Sequence, residues 1–567
     1  MVTQHARRIL LPTLVRSRPM RRGALGTCVA LLLAAVVLPA CSSGDDSAST
    51  ANGVEPVGGA EVVRGGDLTY ALEAETSGGW CIPEAQLAIS GMMVAWTVYD
   101  FLFVPSADDG FVPFLAESLE RNDEATEFVL HLREGVTFHD GSPLDAEVVR
   151  NNIDAWRGEY PARKALLGPF VLANIDSVEV VDDMSVRITT KVPWPALPAY
   201  LYGGARNGVM AQAQLDDPDT CDRALIGTGP FEIDEWEVND HLRVVRNDDY
   251  WRDAPDGEAL PYLDSITFRP VPDAQARVNG LLSGEYDMMM TSAAPATETL
   301  DAEARSGNIA LYQTSFNTEV GFIMFNESQP PFDSPTARRA VATALDRESY
   351  NEVVSLGLFE VASGPFAPGA PGYLEDAGFP AFDLDAAREL VQQYERESGS
   401  PLEFTYVHGN DEDNTRSAQF LQEMLEAAGM TVNLRSTEQA TQINTALGDD
   451  WQAMAFRNFP SGVPDGNYVW WYTGSPVNFG RIADSEVDRL LDEGRSELDE
   501  DVAEGIYEDL NRRLSDQVHF AWLDWTTWSV GMQPDTSGVL GPPLPDDQEP
   551  SPGLATGHAT AGIHFTE

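Results

Sequence analysis

The chain has 567 residues, with 36 basic and 90 acidic side chains, a formal net charge of −54 and 43% hydrophobic residues. This length is enough for several domains with sizeable cores. The acidic balance argues against nucleic acids and anionic lipid headgroups as partners, because both would be repelled.

The first forty residues have the layout of an export signal. Six arginines precede an apolar run that begins at Val29 and ends in Leu-Pro-Ala before Cys41. A basic region, a short apolar region and small residues before a cleavage point are typical of such signals. The Leu-Pro-Ala-Cys run resembles the bacterial lipobox, in which the cysteine is acylated. We therefore predict a signal peptide over 1–40 and a lipid on Cys41; a plain secretory signal is the alternative.

Two further features follow from export. Residues 41–64 are predicted to form a flexible tether, because the stretch is rich in Ser, Gly, Asp and Thr and has no apolar period. Cys81 and Cys221 are the cysteines that remain after Cys41, and an even pair in an exported chain predicts one disulfide. Two free buried thiols are the alternative.

Beyond the tether, the hydrophobic periods predict a mixed α/β chain. Alternating apolar and polar residues predict strands at Glu127–Arg133, Ser185–Thr190 and His241–Arg246. Between the first two of these strands, Ser142 followed by proline predicts the cap of a helix over Ala146–Trp156.

The second half of the chain is predicted to be richer in helices. Ser334 followed by proline predicts a helix over Thr336–Leu345. A helix is predicted to begin at Thr415 and to end at Gly429, where glycine suits the C′ position. Another helical stretch begins at Val487 and continues to about residue 514.

The sequence carries no enzyme signature. It has no His-Glu-x-x-His, no Gly-x-Ser-x-Gly and no P-loop, and its eight histidines lack the spacing of metal ligands. The run at 227–231 lacks the third glycine of a dinucleotide site, and the acidic run at 408–413 lacks the Gly and Glu of an EF-hand. We therefore predict no enzyme activity, no metal site and no cofactor.

Tryptophans are concentrated near the end of the chain, at positions 470, 471, 522, 525 and 528, and another, Trp80, precedes Cys81. Packing in a core would explain them. The alternative is a small-molecule cleft, because flat rings bury a large area at a low entropic cost.

Several short segments stand in a characteristic order: Leu115–Leu119, Phe128–Arg133, Gly135–Ser142, Asp145–Asn152, Gly227–Phe231, Arg277–Asp287, Phe325–Arg347 and Gly474–Asp488. Together they resemble the large extracytoplasmic solute-binding proteins of peptide and nickel ABC transporters. Each segment is a weak signal by itself, but their order over Gly65–Thr536 identifies the chain as a member of that family.

The resemblance implies an α/β, two-lobed, periplasmic-binding-protein-like fold of the large cluster C type. Lobe one would span 65–315, with an extra subdomain at 95–198, and lobe two 316–518. Residues 519–567 would return to lobe one and form the tail. The ligand would lie between the lobes and be enclosed by a hinge motion.

The resemblance also implies a function. The chain would be the lipid-anchored substrate-binding subunit of an ABC importer, monomeric, held on the extracytoplasmic face of the membrane, and delivering a solute to a permease that a separate ATPase powers. An oligopeptide is the leading ligand, with oligosaccharides, opines and chelated nickel or haem as alternatives. A surface or sensory protein without a transporter, and an enzyme on the same scaffold, are competing interpretations.

The ligand-binding loop of the family matches Phe456–Asp465. Peptide binders of the family hold the ligand's α-amino group with an aspartate in this loop, and Asn458 stands in its place here. Arg457 offers a forked donor to a carboxylate or a sugar hydroxyl. The predicted ligand contacts are Trp80 and Gln86 on one side of the cleft, and, facing them, Phe456, Arg457, Asn458, Asp465, Tyr468 and Trp470.

Overall fold

The computed structural model describes residues 61–75, 79–85, 87–107, 110–166, 168–458 and 462–567. The predicted signal peptide, Cys41, most of the tether and Gln86 lie outside these residues. Strands and helices are mixed along the described chain, as predicted for an α/β protein.

The strands in the described residues are β1 (Val62–Val63), β2 (Asp67–Leu72), β3 (Phe103–Pro105), β4 (Phe111–Pro113), β5 (Ala116–Arg121), β6 (Glu127–Leu132), β7 (Ile175–Asp182), β8 (Ser185–Thr190), β9 (Phe231–Glu237), β10 (His241–Arg246), β11 (Ser265–Pro270), β12 (Met288–Thr291), β13 (Ala310–Thr314), β14 (Val320–Phe325), β15 (Glu360–Val361), β16 (Glu403–Gly409), β17 (Thr431–Thr437), β18 (Ala453–Asn458), β19 (Phe520–Trp525), β20 (Trp528–Met532), β21 (Thr536–Ser537) and β22 (His564–Thr566).

The α-helices in the same residues are α1 (Ile89–Val98), α2 (Ala146–Trp156), α3 (Gly168–Val171), α4 (Leu197–Tyr202), α5 (Gln212–Asp216), α6 (Ala274–Ser283), α7 (Ala294–Arg305), α8 (Pro335–Ala344), α9 (Arg347–Val353), α10 (Leu384–Ser398), α11 (Glu412–Ala427), α12 (Gln439–Leu447), α13 (Tyr468–Trp471), α14 (Ser485–Ser496) and α15 (Glu500–Gln517).

The cap of α2 differs from the prediction, although the span of the helix does not. Asp145 caps the helix, and its side chain accepts a hydrogen bond of 2.9 Å from the backbone N–H of Val148. Ser142 lies one turn earlier and instead donates its hydroxyl to Asp140 at 2.6 Å. A carboxylate directly before the first turn satisfies the free N–H groups of the helix, so Asp145 is the better cap.

Carboxylate caps also decide two boundaries in the second half. Helix α11 begins before Thr415, because Asp411 accepts from the N–H of Asn414. The stretch predicted after Val487 is two helices, since Asp499 caps a new helix, α15, by accepting from the N–H of Val502. Both cap residues can be recognised in the sequence, but the hydrophobic period from which the helices were predicted does not mark them.

Lobe one is built on a seven-stranded sheet with the strand order β13-β20-β12-β2-β11-β10-β9. Strand β2 pairs in parallel with β11 and β12, and β20 is antiparallel to β12 and β13. Helices α6 and α7 cover one face, where Leu281 and Leu300 join Met289 in a buried cluster. Tyr70 of β2 and Met93 of α1 belong to the larger core on the other face.

Lobe two is built on a six-stranded sheet with the order β15-β19-β14-β18-β16-β17. Strands β16, β17 and β18 are parallel to one another, and β14 runs antiparallel to β18 and β19. Residues of α8, α10 and α11 pack on Phe325 and Phe404 in a separate core. Each lobe therefore buries a sheet of its own under helices.

The chain passes between the two sheets at 315–319 and at 526–527. The two crossing segments are hydrogen-bonded to each other: the N–H of Thr526 donates to the carbonyl of Glu319 at 2.9 Å, and the hydroxyl of Thr318 donates to the carbonyl of Thr526 at 2.5 Å. The predicted return to lobe one at residue 519 is one strand too early, because β19 pairs with β14 in the second sheet.

Smaller sheets complete the first half of the chain and the tail. A four-stranded sheet, β5-β6-β8-β7, carries α2 on one side and falls within the range predicted for the extra subdomain. At the end of the chain, β22 pairs with β1 and β21. The predicted disulfide is present: Cys81 is bonded to Cys221, and Nη1 of Arg163 lies 2.7 Å from the sulfur of Cys81.

A buried ionic network holds α8, α14 and α15 against lobe two. His519 lies between two carboxylates, with Nδ1 at 2.7 Å from Glu327 and Nε2 at 3.2 Å from Asp484. Arg338 pairs with Glu327 at 3.1 Å, and Arg513 pairs with Asp484 at 2.7 Å. Burial lowers the pKa of His519, but its hydrogen bonds to the two carboxylates outweigh burial and raise the pKa above its ordinary value.

Replacing His519 by glutamine is expected to destabilise the protein most at mildly acidic pH. Because the pKa of His519 is raised in the folded state, its stabilisation is complete below the ordinary histidine value of about 6.5 and is lost as the pH rises through the folded value. The midpoint of thermal unfolding of the variant should lie well below that of the wild type at about pH 5.5 and come closer to it at about pH 9. A difference that does not shrink with rising pH would contradict this role.

Candidate functional site

The cleft between the lobes lies at the carboxyl ends of parallel strands. Strands β2, β11 and β12 end on the edge of the first sheet from which the chain leaves after β13. Strands β16, β17 and β18 end on the edge of the second sheet at which β14 begins. Ligands of open α/β sheets bind outside such edges, so the residues that follow these strands are the candidate site.

A cavity opens beside the first crossing segment. Asn317 and Thr318 of that segment line it, together with Phe366, with Gly462 inside the predicted ligand loop and with Trp471 after the loop. Trp471 is fully buried, and its Nε1 donates to no described residue. The cavity is apolar with a few polar groups, which suits a small organic ligand.

Arg457 connects the lobes at this point. It lies on β18 of lobe two, and its Nη1 donates to the hydroxyl of Ser292, the residue that follows β12 of lobe one, at 2.9 Å. The same nitrogen is 3.5 Å from Glu319 on the crossing segment, and the guanidinium lies 5.5 Å from the ring of Trp528. The Arg457 side chain remains 35% exposed, so part of it faces open space.

Glu319 is the buried carboxylate of this cluster. Its side chain is 12% exposed, and burial raises its pKa while Arg457 and Arg206 lower it. Burial in turn lowers the pKa of Arg206 to about 10, although Glu319 opposes this shift. Two guanidinium groups therefore act on one carboxylate at the junction of the lobes, where low dielectric strengthens each interaction.

Phe456 and Trp470 contribute to an aromatic wall. Phe456 is on the opposite face of β18 from Arg457 and pairs with Phe322 of β14. Its ring is 5.6 Å from that of Phe479, which is 5.9 Å from that of Trp470. The wall is thus partly buried core, and both predicted residues are only half-exposed.

Asp465 has a structural role that the sequence did not reveal. One carboxylate oxygen accepts from Nε of Arg495 at 2.9 Å and the other from Nε1 of Trp194 at 2.9 Å. Its backbone carbonyl accepts from the hydroxyl of Tyr200 at 2.6 Å. Because both carboxylate oxygens are already paired in a buried site, Asp465 is not free to bind a ligand amino group.

Tyr468 belongs to the same structural cluster. The guanidinium of Arg495 lies 3.6 Å from the centre of its ring, and its hydroxyl donates to Asp492 at 2.9 Å. Burial, together with the hydrogen bond to Asp492, raises the pKa of Tyr468. Its ring stacks on Tyr472 at 4.4 Å and lies 6.1 Å from the ring of Phe170, so its contacts join lobe two to α3 and do not include Trp80.

Trp80 lines a second cavity, of about 280 Å³, in lobe one. The side chain is 1% exposed and lies edge to face with Trp236 at 5.9 Å. Its Nε1 donates to no described residue. Leu72 and Ala74, at the end of β2, line the same cavity. Trp80 is therefore a wall of lobe one, beside the carboxyl edge of the sheet.

The remaining predicted contacts are less informative. Gln86 lies outside the described residues, and Asn458 is known here through its backbone, as the last residue of β18. The sequence did not point to Ser292, Glu319 or Arg206, whereas Trp528 belongs to the tryptophan group for which a cleft was the alternative. Ser292 had a usable signal, because a polar residue directly after a buried strand lies at the binding edge.

The glycine motif of the resemblance proves to be structural. A Cβ atom on Gly227 would lie 2.0 Å from the carbonyl oxygen of Val98, and one on Gly229 would lie 2.5 Å from the carbonyl carbon of the same residue. Thr228 between them donates to the buried Asp100 at 3.0 Å. The motif allows close backbone approach inside lobe one and does not reach the cleft.

Two further searches concern metals and membranes. Within the described ranges, Cys81, Glu84 and Cys221 form a group with the spacing of metal ligands, but both sulfurs are joined in the disulfide. None of the helices that the structure describes is both long and apolar enough to cross a bilayer.

Solved structures share this architecture. The binding protein AgaA of A. tumefaciens R10, in complex with agropinic acid, matches with a TM-score of 0.78 at 23% identity over 88% of this chain and 99% of its own. DppA of Helicobacter pylori, in complex with the peptide STSA, matches with a TM-score of 0.77 at 20% identity over 89% and 99%. At these identities the likeness establishes the two-lobed fold.

Sequence comparison assigns the family. The glutathione-binding protein GsiB of Salmonella paratyphi A is 28% identical over 372 residues, which are 65% of this chain and 69% of the relative. The family model of bacterial extracellular solute-binding proteins, family 5, middle part, matches residues 110–480. The chain therefore belongs to the family 5 bacterial extracellular solute-binding proteins, which bind solutes and are not enzymes.

Proposed function

We propose that the chain is the lipid-anchored substrate-binding subunit of an ABC importer. It captures a small solute between its lobes and delivers it to a membrane permease powered by a separate ATPase. The observation that carries this proposal is the charged cluster of Arg457 and Glu319, which sits at the cleft junction beside an open cavity. The protein works as a monomer, without a cofactor, on the extracytoplasmic face of the membrane.

An oligopeptide is the proposed solute. The relative GsiB is named for glutathione, and DppA was solved with the peptide STSA. AppA of Bacillus subtilis, which matches with a TM-score of 0.76 at 21% identity over 89% of this chain and all of its own, holds a nonapeptide. Native mass spectrometry of freshly purified protein tests the proposal, because a closed binding protein retains its ligand.

The second candidate is a surface or sensory protein for an opine, an oligosaccharide or a metal chelate, without peptide transport. The observation that favours an opine is the likeness to AgaA, whose structure contains agropinic acid. A retained mass that matches a sugar–amino acid conjugate would support this candidate. A mass that fragments into amino-acid residues alone would support the importer of peptides.

Within the cleft we propose that Arg457, Phe456 and Trp470 contact the solute, with Asn458 and Gln86 as neighbours and Trp80 on the lobe-one side. Arg457 supports this proposal best, because its side chain is partly exposed and its Nε and Nη2 donate to no described residue. Asp465 and Tyr468 are better assigned to holding Arg495 in place.

Replacing Cys41 by serine should release the protein from the membrane fraction. Two or three acyl chains hold a protein on a membrane stably, at about 0.8 kcal/mol per buried CH₂ group, and serine cannot carry them through the same linkage. Fractionation of cells followed by immunoblotting measures the change. Cys28→Ser, inside the predicted signal, is the matched control and should stay with the membrane. Membrane retention of the Cys41 variant would contradict the lipid anchor.

Replacing Arg457 by alanine should weaken binding of the native solute at least about tenfold with the fold intact, because loss of one partner of a buried charge pair costs about 2–5 kcal/mol. Trp470→Ala should weaken the binding of charged and neutral analogues alike, because the contact area lost with the ring does not depend on the charge of the ligand. Arg388→Ala, on the exposed face of α10, is the control. Titration calorimetry gives the affinities, and circular dichroism checks the fold. If both cleft variants bind as the wild type does, the solute contacts lie nearer Trp80.

A further inference from the structure

Glu73 is a carboxylate at the cleft edge of lobe one without a partner. It directly follows β2, the central parallel strand of the seven-stranded sheet, so it stands at the carboxyl edge where ligands bind. It is half-buried and makes no hydrogen bond or ion pair with any residue that the structure describes. A half-buried charge without a partner is costly, and a cationic ligand group would remove that cost.

The cations near Glu73 do not neutralise it. Arg277 is close enough to interact electrostatically, but its guanidinium donates to the backbone carbonyls of Val271 at 2.6 Å, Pro272 at 3.1 Å and Met290 at 3.1 Å. Arg457 also interacts electrostatically with Glu73, but the carboxylate nearest to the Arg457 guanidinium is that of Glu319, at 3.5 Å. Both guanidinium groups are thus oriented by other partners, and Glu73 remains available.

The arginine on the opposite lobe is only partly bonded. Nη1 of Arg457 serves Ser292 and Glu319, whereas Nε and Nη2 donate to no residue in the described part of the chain. A guanidinium offers five donors in a planar fork that matches a carboxylate. Among the described residues, the cleft therefore presents an anion without a partner on lobe one and cationic donors without acceptors on lobe two.

A third group without a partner among the described residues lies in the lobe-one cavity at the end of β2. Leu72 and Ala74, the two neighbours of Glu73 in the chain, line the lobe-one cavity of about 280 Å³, and Trp80 lines the same cavity. Nε1 of Trp80 is buried and donates to no described residue. A buried N–H without an acceptor is costly, and a ligand carbonyl reaching into the cavity would offset that cost.

We propose that Glu73 is the residue that pairs with the amino group of the captured solute, while the free donors of Arg457 pair with its carboxylate. The ligand class is then a zwitterion that carries both groups, such as a peptide with a free amino terminus. Glu319 is a positioning residue, because it holds Arg457 by its other nitrogen. This inference rests on the proposed function and specifies the chemistry of the same cleft.

The test compares three probes on the full processed chain: the tripeptide Ala-Leu-Ala, its N-acetyl form and its C-terminal amide. Wild-type protein should bind the free tripeptide at least about tenfold more tightly than either blocked form, since each lacks one charge. Glu73→Gln should lose the preference for a free amino terminus and keep the preference for a free carboxylate. Arg457→Ala should show the reverse pattern.

Glu285→Gln is the matched control, because it removes the same charge from an exposed position of lobe one. It should keep both preferences of the wild type. Circular dichroism and thermal unfolding of each variant establish that the fold is intact, so a lost preference reports on recognition.

The outcomes separate this inference from the proposed function. Equal binding of the free and N-acetylated tripeptides by the wild type would overturn the role of Glu73 while leaving peptide capture in place. If no peptide binds but mannopinic acid, an opine that carries an amine and carboxylates, binds in a Glu73-dependent manner, peptide capture fails and the inference stands. Stabilisation of the wild type, but not of Glu73→Gln, by Ni²⁺ or Ca²⁺ alone would overturn it in favour of a metal site. Binding of no zwitterion would overturn both.

Discussion

The pairing of the two crossing segments is the constraint on which the rest of the molecule depends. The backbone of Thr526 exchanges hydrogen bonds with Thr318 and Glu319, so the two passages between the sheets form one junction. That junction fixes where the carboxyl edges of both sheets meet, and it carries the Glu319 side chain to Arg457 at 3.5 Å. Because the backbone contact and the side-chain contact share one residue, the arginine of lobe two is oriented by the hinge itself. A group positioned at the hinge moves little when lobes rotate, which suits the ligand contact proposed for Arg457.

Several arginines are buried inside this protein, although its overall charge is strongly negative. Arg277 and Arg338 are almost completely buried, and each donates to backbone carbonyls at strand or helix ends. Arg495 is buried as well and holds Asp465 under the rings of Tyr200 and Tyr468. A planar fork that remains charged can satisfy several acceptors at once, which an ammonium group on a flexible stem does less well. Burial of these charges is tolerated because their hydrogen bonds are made within the protein. The free donors of Arg457 differ from this pattern, and that difference singles it out in the cleft.

The sequence predicted the features that depend on neighbouring residues or that the chain shares with its family. Its predictions were wrong where a contact with a residue far along the chain determines a role or a strand pairing. The α/β class and the family are confirmed by the comparisons, the span of β8 agrees residue for residue, and the Cys81–Cys221 pair is present. Asp465 was placed among ligand contacts because it is the nearest carboxylate in the loop, but its side-chain partners are Trp194 and Arg495, 271 and 30 residues away. The return between lobes was set too early because β19 is buried throughout and carries no mark of which sheet it joins. Nothing in the sequence around Glu319 marks it as a functional residue. Its importance comes from Arg457, which lies on β18, the strand that pairs with β14.

The Asp465 cluster also limits how the cleft opens. Trp194 and Tyr200 come from the chain between the four-stranded sheet and β9, whereas Asp465 and Arg495 come from the part built on the second sheet. Separation of these parts would break the bond from Trp194, the bond from Tyr200 and the 2.8 Å bond from Arg495 to the tyrosine hydroxyl. Each bond of this kind contributes about 1 kcal/mol net, more where a charge takes part. The contacts hold the two parts together in this structure, and none of the four residues lines the cavity at the crossing segment. The residues that hold the two parts together thus differ from those proposed to contact the solute, and a solute that added contacts at the junction would shift the balance between open and closed lobes.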